Sequence, residues 1–287
     1  FGVAQRLALK NKGRDVHQMM MSATPIPRTL AMSFFADLDV SVIDELPPGR
    51  TPIKTRLVNN VRRAEVEGFV LNICRKGQQA YWVCPLIEES ETLQLQTATE
   101  TLEQLQAALP ELNIGLVHGR MKAAEKAEVM AQFAAGRLNV LVATTVIEVG
   151  VDVPNAALMV IEHAERMGLA QLHQLRGRVG RGAAESVCVL LFAEPLSELA
   201  KARLKVIYEH TDGFEIARQD LNIRGPGEFL GARQSGVPML RFANLEEDLH
   251  LLEQAREIAP MLIEQNPEIV EAHLARWLAS REGYLGV

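Results

Sequence analysis

Residues 174–181 include Gln174, Arg178 and Arg181, whose side chains are of types that bind phosphate. The planar guanidinium of arginine presents paired N–H donors that match phosphate oxygens, so this pair of arginines suits a nucleoside triphosphate. The preceding residues have helical character, and the spacing i, i+4, i+7 predicts that the three side chains share one helix face. The alternative is a solvated basic helix, which Gly177 and Gly180 disfavour because glycine weakens an ordinary helix.

Short apolar runs alternate with longer helical stretches over the part of the chain that must position these residues. Runs that are apolar at nearly every residue are typical of strands buried on both faces. Strand–helix alternation implies right-handed crossovers and a mostly parallel sheet. The sequence therefore predicts a doubly wound α/β domain that binds its ligands beyond the carboxyl ends of the strands. The strand candidates are residues 80–87, 114–118, 140–144, 158–162 and 187–192, and the helix candidates are 61–76, 93–108, 122–135 and 170–179.

Composition and spacing divide the chain into four regions. Prolines and a glycine exclude regular structure near residue 50, and the segment before them does not make a domain alone. After the last strand candidate only helical periodicity remains. The predicted regions are 1–45, a remnant of another domain; 46–60, a linker; 61–195, the α/β domain; and 196–287, a helical region with helices at 196–210, 244–259 and 267–281.

Bulk composition excludes several classes of protein. The chain has 287 residues and a formal net charge of −6, so any contact with nucleic acid must be made by a local groove. Its three cysteines are far apart and form no C-x-x-C pair, which predicts reduced, buried thiols in a cytoplasmic protein. The seven histidines show no ligand spacing and no apolar run reaches membrane-spanning length, so we expect neither a structural zinc nor a membrane helix. Because the chain opens on Phe1, we expect a fragment of a longer protein.

A second polar cluster follows the strand candidate at 140–144. Thr144 and Thr145 bring hydroxyls and amides that suit a phosphate of a nucleic-acid strand. Gly150 and Asp152 then place a carboxylate near the same rim. Turn chemistry alone is the alternative, and it explains the glycine and the proline that follows but not the whole string.

Two shorter motifs are less specific. Ser22 and Thr24 follow an apolar run, where hydroxyls can bond a carboxylate and the backbone and so sense a nucleotide site. A helix N-cap explains the same two residues equally well. His118 and Gly119 end another strand candidate, and a structural histidine is the competing interpretation. Trp82 is interpreted as an apolar strand residue rather than a platform for stacking bases.

The segment 220–236 contains four glycines, which predict a flexible loop rather than a core helix. Arg224 and Gln234 within it are polar groups that must find partners if the loop packs. The alternative is an irregular loop that caps the α/β domain.

Taken together, these motifs resemble those of superfamily 2 helicases. Residues 174–181 match the family's Q-x-x-G-R-x-G-R motif, 140–154 resemble motif V, and the Ser-Ala-Thr of 22–24 resembles motif III. Segment 220–236 looks like the translocation motif shared by the RecG branch-migration helicases and the transcription-repair coupling factors.

The resemblance extends over essentially the whole chain, and residues outside the motor motifs favour the RecG family. Residues 46–52 and 81–90 look like RecG, whereas the coupling factors are similar mainly at 140–182 and 214–236. One departure from the family pattern concerns the nucleotide site. The chain contains no Gly-Lys dipeptide, so a G-x-x-x-x-G-K-[ST] phosphate loop is not part of it.

The resemblance implies a RecA-like fold and an incomplete ATP site. The α/β domain would be the second helicase motor domain, preceded by a remnant of the first and followed by a helical hairpin, the translocation loop and C-terminal helices. ATP and Mg²⁺ are the implied cofactors, with the phosphate loop and the magnesium-binding acidic motif outside this chain. The implied roles are catalysis by Gln174, Arg178 and Arg181; nucleotide binding by Gly150, Asp152 and the two arginines; coupling by Ser22, Thr24, Arg224 and Gln234; and DNA contact by Thr144, Thr145, His118 and Gly119.

The implied function is that of a C-terminal fragment of an ATP-dependent translocase that remodels branched double-stranded DNA, by fork reversal and Holliday junction branch migration, in recombination and repair. We expect the fragment alone to be inactive. Branched DNA and single-stranded DNA-binding protein are implied partners, the bacterial cytoplasm is the implied location, and apolar surface at 1–45 predicts self-association. Two alternatives stay open: a transcription-repair coupling translocase, and a non-catalytic binding or assembly module, which the absent phosphate loop favours.

Overall fold

Six parallel strands form one sheet, as the alternation of apolar runs and helices predicts. The computed structural model describes residues 52–84, 91–144, 153–182, 185–224 and 249–278, together with the single positions 19, 21, 41, 43 and 45. The strands are β1 (Lys54–Asn59), β2 (Gln79–Cys84), β3 (Ile114–Val117), β4 (Val140–Thr144), β5 (Ala156–Ile161) and β6 (Val187–Phe192). They lie in the order β1-β6-β5-β2-β4-β3, and each neighbouring pair is parallel. This is the doubly wound, RecA-like sheet that was expected.

Eight helices occur among the described residues. They are α1 (Arg63–Arg75), α2 (Glu91–Ala108), α3 (Ala123–Ala134), α4 (Leu169–Arg176), α5 (Glu198–Glu209), α6 (Gly213–Arg224), α7 (Leu249–Gln265) and α8 (Pro267–Leu278). The predicted helices are confirmed, with shifted ends. Local signals fix some of these ends: Ser197 caps α5, since its Oγ accepts from the amide of Ala200 at 3.2 Å.

The core lies on both faces of the sheet because the central strands are buried along their whole length. Tyr81, Leu141 and Met159 lie on one face and pack with apolar side chains of α3, α4, α5 and α6. Trp82 and Val142 lie on the other face with side chains of α1 and α2. Trp82 has no exposed surface, which confirms its interpretation as a strand residue. Strands buried on both faces explain the continuous apolar runs in the sequence.

β1 is a finding that the sequence analysis did not predict, because its residues were placed in the linker 46–60. The strand pairs with β6 from Lys54↔Val187 to Asn59↔Phe192. Its sequence, Lys-Thr-Arg-Leu-Val-Asn, lacks the continuous apolar run of the central strands. The described part of the sheet begins with this strand, so the α/β domain starts before the predicted boundary at residue 61.

The chain separates into two compact units. Residues 40–235 form one, so α5 and α6 belong to the same unit as the sheet. The C-terminal helices α7 and α8 belong to the other, where they pack against each other. None of the described helices is both long and apolar enough to cross a membrane.

All three cysteines are buried and free, as predicted. Burial raises the pKa of the Cys74 thiol to about 11 and the pKa values of Cys84 and Cys188 to about 12. Thiols with such raised pKa values are poor nucleophiles near neutral pH, so these side chains serve packing.

Candidate nucleotide and DNA site

The segment that carries the paired arginines begins in α4 but leaves the helix earlier than predicted. α4 ends at Arg176, and Gly177 caps it with its amide bonded to the carbonyl of His173 at 3.0 Å. The chain then turns, and Gly180 adopts a φ of +80°, a left-handed conformation that other residues adopt only with strain. The predicted helix at 170–179 is therefore three residues too long, and a shared helix face for Gln174, Arg178 and Arg181 is wrong. Only Gln174 lies in the helix.

We call residues 177–182 the arginine loop, and its buried residues fix the two arginines that were predicted to bind phosphate. Val179 has no exposed surface and belongs to the apolar cluster on the face of the sheet that α3, α4, α5 and α6 cover. On either side of it, Arg178 is half-buried and Arg181 is exposed. The amide of Arg178 also bonds the carbonyl of Leu175 at 3.0 Å. Because it is anchored in this way, the loop holds the half-buried Arg178 and the exposed Arg181 outside any helix.

A close backbone contact ties this loop to the last residue of the predicted motif V. A Cβ atom at Gly182 would collide with the carbonyl oxygen of Pro154, so only glycine fits there. Pro154 comes two residues after Asp152 in the sequence. Asp152, Gly150 and Thr145 lie outside the described residues, so their predicted roles stay predictions.

Arg176 is a residue whose importance the sequence analysis missed. It is only 3% exposed, and its guanidinium points into the protein, where it bonds residues of β1, α5 and the turn after α5. The available signal was helical spacing. Leu169, Leu172 and Arg176 follow i, i+3, i+7, so this arginine shares the apolar face of α4.

His118 and Gly119 follow β3 at the carboxyl edge of the sheet. Gly119 is exposed, and a Cβ atom there would meet nothing within 4 Å. The Nδ1 atom of His118 is buried and has no hydrogen-bond partner among the described residues. Burial lowers the pKa of this imidazole, Lys126 and Arg120 lower it further, and Glu125 opposes them. The edge is open and basic here, which suits a phosphate group.

Thr144 ends β4 at the same edge, opposite Cys84 of β2. It is 3% exposed, so its hydroxyl faces the protein rather than an open groove. Its neighbour Thr145 is therefore the better candidate for the phosphate contact predicted at this strand end. Thr145 lies outside the described residues.

The structure does not describe the side chains of the remaining predicted coupling residues. Ser22, Thr24 and Gln234 lie outside the described residues, and of Arg224 only the backbone is described. That backbone ends α6, so residues 220–224 are helical and the predicted loop at 220–236 begins later than expected. The glycines of this segment start at Gly225, which explains why the helix reaches as far as Arg224.

Glu162 forms a buried charged cluster that the sequence analysis did not predict. It follows β5, is 5% exposed, and accepts a hydrogen bond from the indole Nε1 of Trp82 at 2.8 Å. Arg63 of α1 pairs with the same carboxylate oxygen and lies over the Trp82 ring, 5.0 Å from its centroid. Arg63 also bonds Glu67 at 2.9 Å. The cluster joins α1 to the ends of two central strands.

The described residues include no group of three or more histidine, cysteine, aspartate or glutamate side chains placed to hold a metal ion. The arginine loop instead supplies guanidinium groups, which suit the phosphate oxygens of a nucleotide. The sequence has no phosphate loop of its own.

Two family models match the chain. Residues 65–183 match the helicase conserved C-terminal domain, which includes the arginine loop up to Gly182. Residues 210–278 match ATP-dependent DNA helicase RecG, domain 3, C-terminal, which includes α6, α7 and α8.

Curated relatives match along nearly the whole chain. ATP-dependent DNA helicase RecG of Acidithiobacillus ferridurans is 58% identical over 284 residues, and RecG of Escherichia coli (strain K12) is 57% identical over 289 residues. Each match covers 99% of this chain and 42% of the relative, so the chain spans about two fifths of their length. A solved structure of RecG bound to a three-way DNA junction superposes with a TM-score of 0.65 at 50% identity, covering 81% of this chain and 30% of that one.

Proposed function

The chain is homologous to the RecG helicases over 99% of its length, and on that premise we propose that it forms the second motor domain and helical C-terminal region of an ATP-dependent translocase that remodels branched double-stranded DNA. The observation that carries the proposal is the arginine loop. It holds Arg178 and Arg181 at the surface of a RecA-like domain whose own sequence has no phosphate loop. Such a domain can complete a nucleotide site but cannot build one alone.

The two arginines act on the ATP substrate as it reacts. A partner motor domain would hold the β- and γ-phosphates and Mg²⁺, and the metal ion would neutralise part of the charge on the phosphate oxygens. Arg178 and Arg181 reach the γ-phosphate from the opposite side of the cleft and stabilise the negative charge that develops on its oxygens. Gln174 supports them from α4, and Gly150 and Asp152 border the nucleotide.

The carboxyl edge of the sheet contacts the sugar–phosphate backbone of the DNA. His118, Gly119 and Thr145 bind phosphate groups, which positions the duplex without reading its sequence. Gly119 leaves room for a phosphate to approach, and the basic neighbours of His118 attract it. Ser22, Thr24, Arg224 and Gln234 couple the nucleotide site to movement along DNA.

In the cell, this activity reverses stalled forks and migrates Holliday junctions during recombination and repair, in the bacterial cytoplasm at the nucleoid. Single-stranded DNA-binding protein is a partner, and residues 1–45 allow copies of the isolated chain to associate. The match of residues 210–278 to RecG domain 3 supports this function over transcription-coupled repair.

A junction-unwinding assay tests the proposal. We expect the full-length protein to separate the strands of a labelled three-way junction with ATP and Mg²⁺, and to fail with a non-hydrolysable ATP analogue. The 287-residue chain alone is expected to give no turnover, because it lacks the phosphate loop. Strand separation without ATP, or Mg²⁺-dependent turnover by the isolated chain, would contradict the proposal.

The pH dependence of DNA binding tests the role of His118. Its lowered pKa keeps the free imidazole neutral near pH 7, whereas a bound phosphate favours the protonated form and raises the pKa. Binding therefore takes up a proton, and affinity for the junction rises as the pH falls from 8 toward the pKa of the free imidazole, which lies below its ordinary value of 6.5. Each unit by which the phosphate raises the pKa corresponds to about a tenfold gain in affinity.

Fluorescence anisotropy at constant ionic strength measures this effect. The variant His118→Gln is expected to lose the His118-dependent part of the pH response. His273→Gln on the exposed face of α8 is the matched control and is expected to keep it. An unchanged pH response in His118→Gln would rule out the phosphate contact.

A further inference from the structure

Arg176 is a buried cation that the proposed catalytic role does not use. Its Nη1 donates to the carbonyl oxygens of Ile207 at 2.7 Å and His210 at 2.9 Å, and to Oγ1 of Thr55 at 3.2 Å. Its Nη2 lies 3.0 Å from Nδ1 of His173 and 3.4 Å from the carbonyl oxygen of Thr211. Both terminal nitrogens are therefore engaged.

The acceptors of Arg176 explain how a buried guanidinium is tolerated there. Burial lowers its pKa, but an arginine side chain remains charged in proteins. Ile207 and His210 lie at the end of α5, where helix carbonyls have no partner in the helix and carry partial negative charge. Arg176 satisfies two of these carbonyls and the one that follows in the turn before α6. It thus replaces a C-terminal cap for α5.

The position of Arg176 in the chain connects two regions of the proposed motor. It is the last residue of α4 and stands two residues before Arg178 in the arginine loop. Three of its acceptors, the carbonyl oxygens of Ile207, His210 and Thr211, lie at the end of α5 and in the turn before α6. We call α5, this turn and α6 the α5–α6 hairpin. α6 ends at Arg224, directly before the glycine-rich part of the segment 220–236. One guanidinium therefore contacts the hairpin directly from the residue that precedes the arginine loop.

We propose that Arg176 is a positioning residue that couples the arginine loop to the α5–α6 hairpin. The inference rests on the proposed function, since it assigns a mechanical link between ATP hydrolysis and movement of the DNA. Lysine cannot replace it, because an ammonium group has its donors at one point whereas these acceptors surround both ends of a planar fork. Leu169, Leu172 and Leu175 also pack α4 against the core, so the position of the helix does not depend on Arg176 alone.

The test measures junction strands separated per ATP hydrolysed in the full-length protein, with Arg176→Lys, Thr55→Val and Arg218→Lys. Arg176→Lys is expected to lower this ratio about tenfold, with junction affinity and the KM for ATP unchanged. Thr55→Val removes one acceptor and keeps the side-chain volume, so a loss of about twofold is expected. Arg218→Lys is the matched control, because that arginine lies on α6 with 65% of its side chain exposed, and it keeps the wild-type ratio.

The ratio separates coupling from folding, because a smaller folded fraction lowers both hydrolysis and strand separation in proportion. If Arg176→Lys does not fold, Thr55→Val alone decides the question. An unchanged ratio in the folded variants overturns the inference and leaves the proposed function standing. A wild-type protein that hydrolyses no ATP on junction DNA overturns the proposed function instead.

Discussion

Replacing Arg181 with alanine in the full-length protein is expected to reduce kcat for ATP hydrolysis by a factor of about 10³–10⁵, which is the contribution of an arginine finger in phosphoryl transfer. Arg181 is exposed, whereas Val179 of the same loop is buried in the core. Truncation therefore removes the charge proposed to meet the γ-phosphate and leaves the buried side chain of the loop in place. Steady-state turnover with saturating junction DNA measures the effect.

Two controls make this result specific. Binding of the junction without nucleotide is expected to stay at the wild-type level, because the proposed DNA contacts lie at the ends of β3 and β4. Arg218→Ala removes another exposed arginine, from α6, and is expected to leave kcat unchanged. A kcat for Arg181→Ala within tenfold of wild type would show that this side chain does not stabilise the transition state.

The central sheet was predictable because burial on both faces leaves a simple sequence signal. β2, β4 and β5 consist almost wholly of apolar residues and were found on that basis. β1 was not predicted because an edge strand has a neighbouring strand on one side only. It therefore tolerates the polar residues Lys54, Thr55 and Arg56. The prolines just before it also led to its assignment as linker. Edge strands depend on tertiary pairing, in this case with β6, which local pattern does not reveal.

The phosphate chemistry expected of the arginine segment rests on residue types and stays a prediction, whereas the position of each arginine could not be predicted from the sequence. Arg176, Arg178 and Arg181 are alike in type and spaced over six residues. Their separation into one buried and two surface side chains depends on the early end of α4 and on the left-handed conformation of Gly180. Helical spacing alone extends α4 to residue 179 and so assigns the wrong face to the functional pair.

The buried cluster around Glu162 leads to the second large prediction, which concerns stability. Glu162→Ala is expected to lower the free energy of unfolding by about 3 kcal/mol, since removal of one member of a buried ion pair leaves its partner uncompensated. The value lies at the low end for such pairs because Arg63 retains Glu67 and 22% of its side chain is exposed. The indole Nε1 of Trp82 also loses its acceptor.

Urea unfolding followed by tryptophan fluorescence measures this loss. The chain has two tryptophans, so a Trp277→Phe background leaves Trp82, which reports on the cluster directly. Glu111→Ala is the matched control: it breaks the Arg75–Glu111 pair, whose side chains are 59% and 57% exposed, and is expected to cost under about 1 kcal/mol. Equal losses in the two variants would refute a buried pair.

A double substitution separates the charge effect from lost packing. Arg63→Met with Glu162→Leu removes both charges and keeps apolar volume, so its loss is expected to be smaller than the sum of the two single losses. Recovery of this kind means that the cost of Glu162→Ala is an uncompensated Arg63 rather than a cavity. Strict additivity would instead mean that Arg63 and Glu162 stabilise α1 and β5 independently, in spite of their contact.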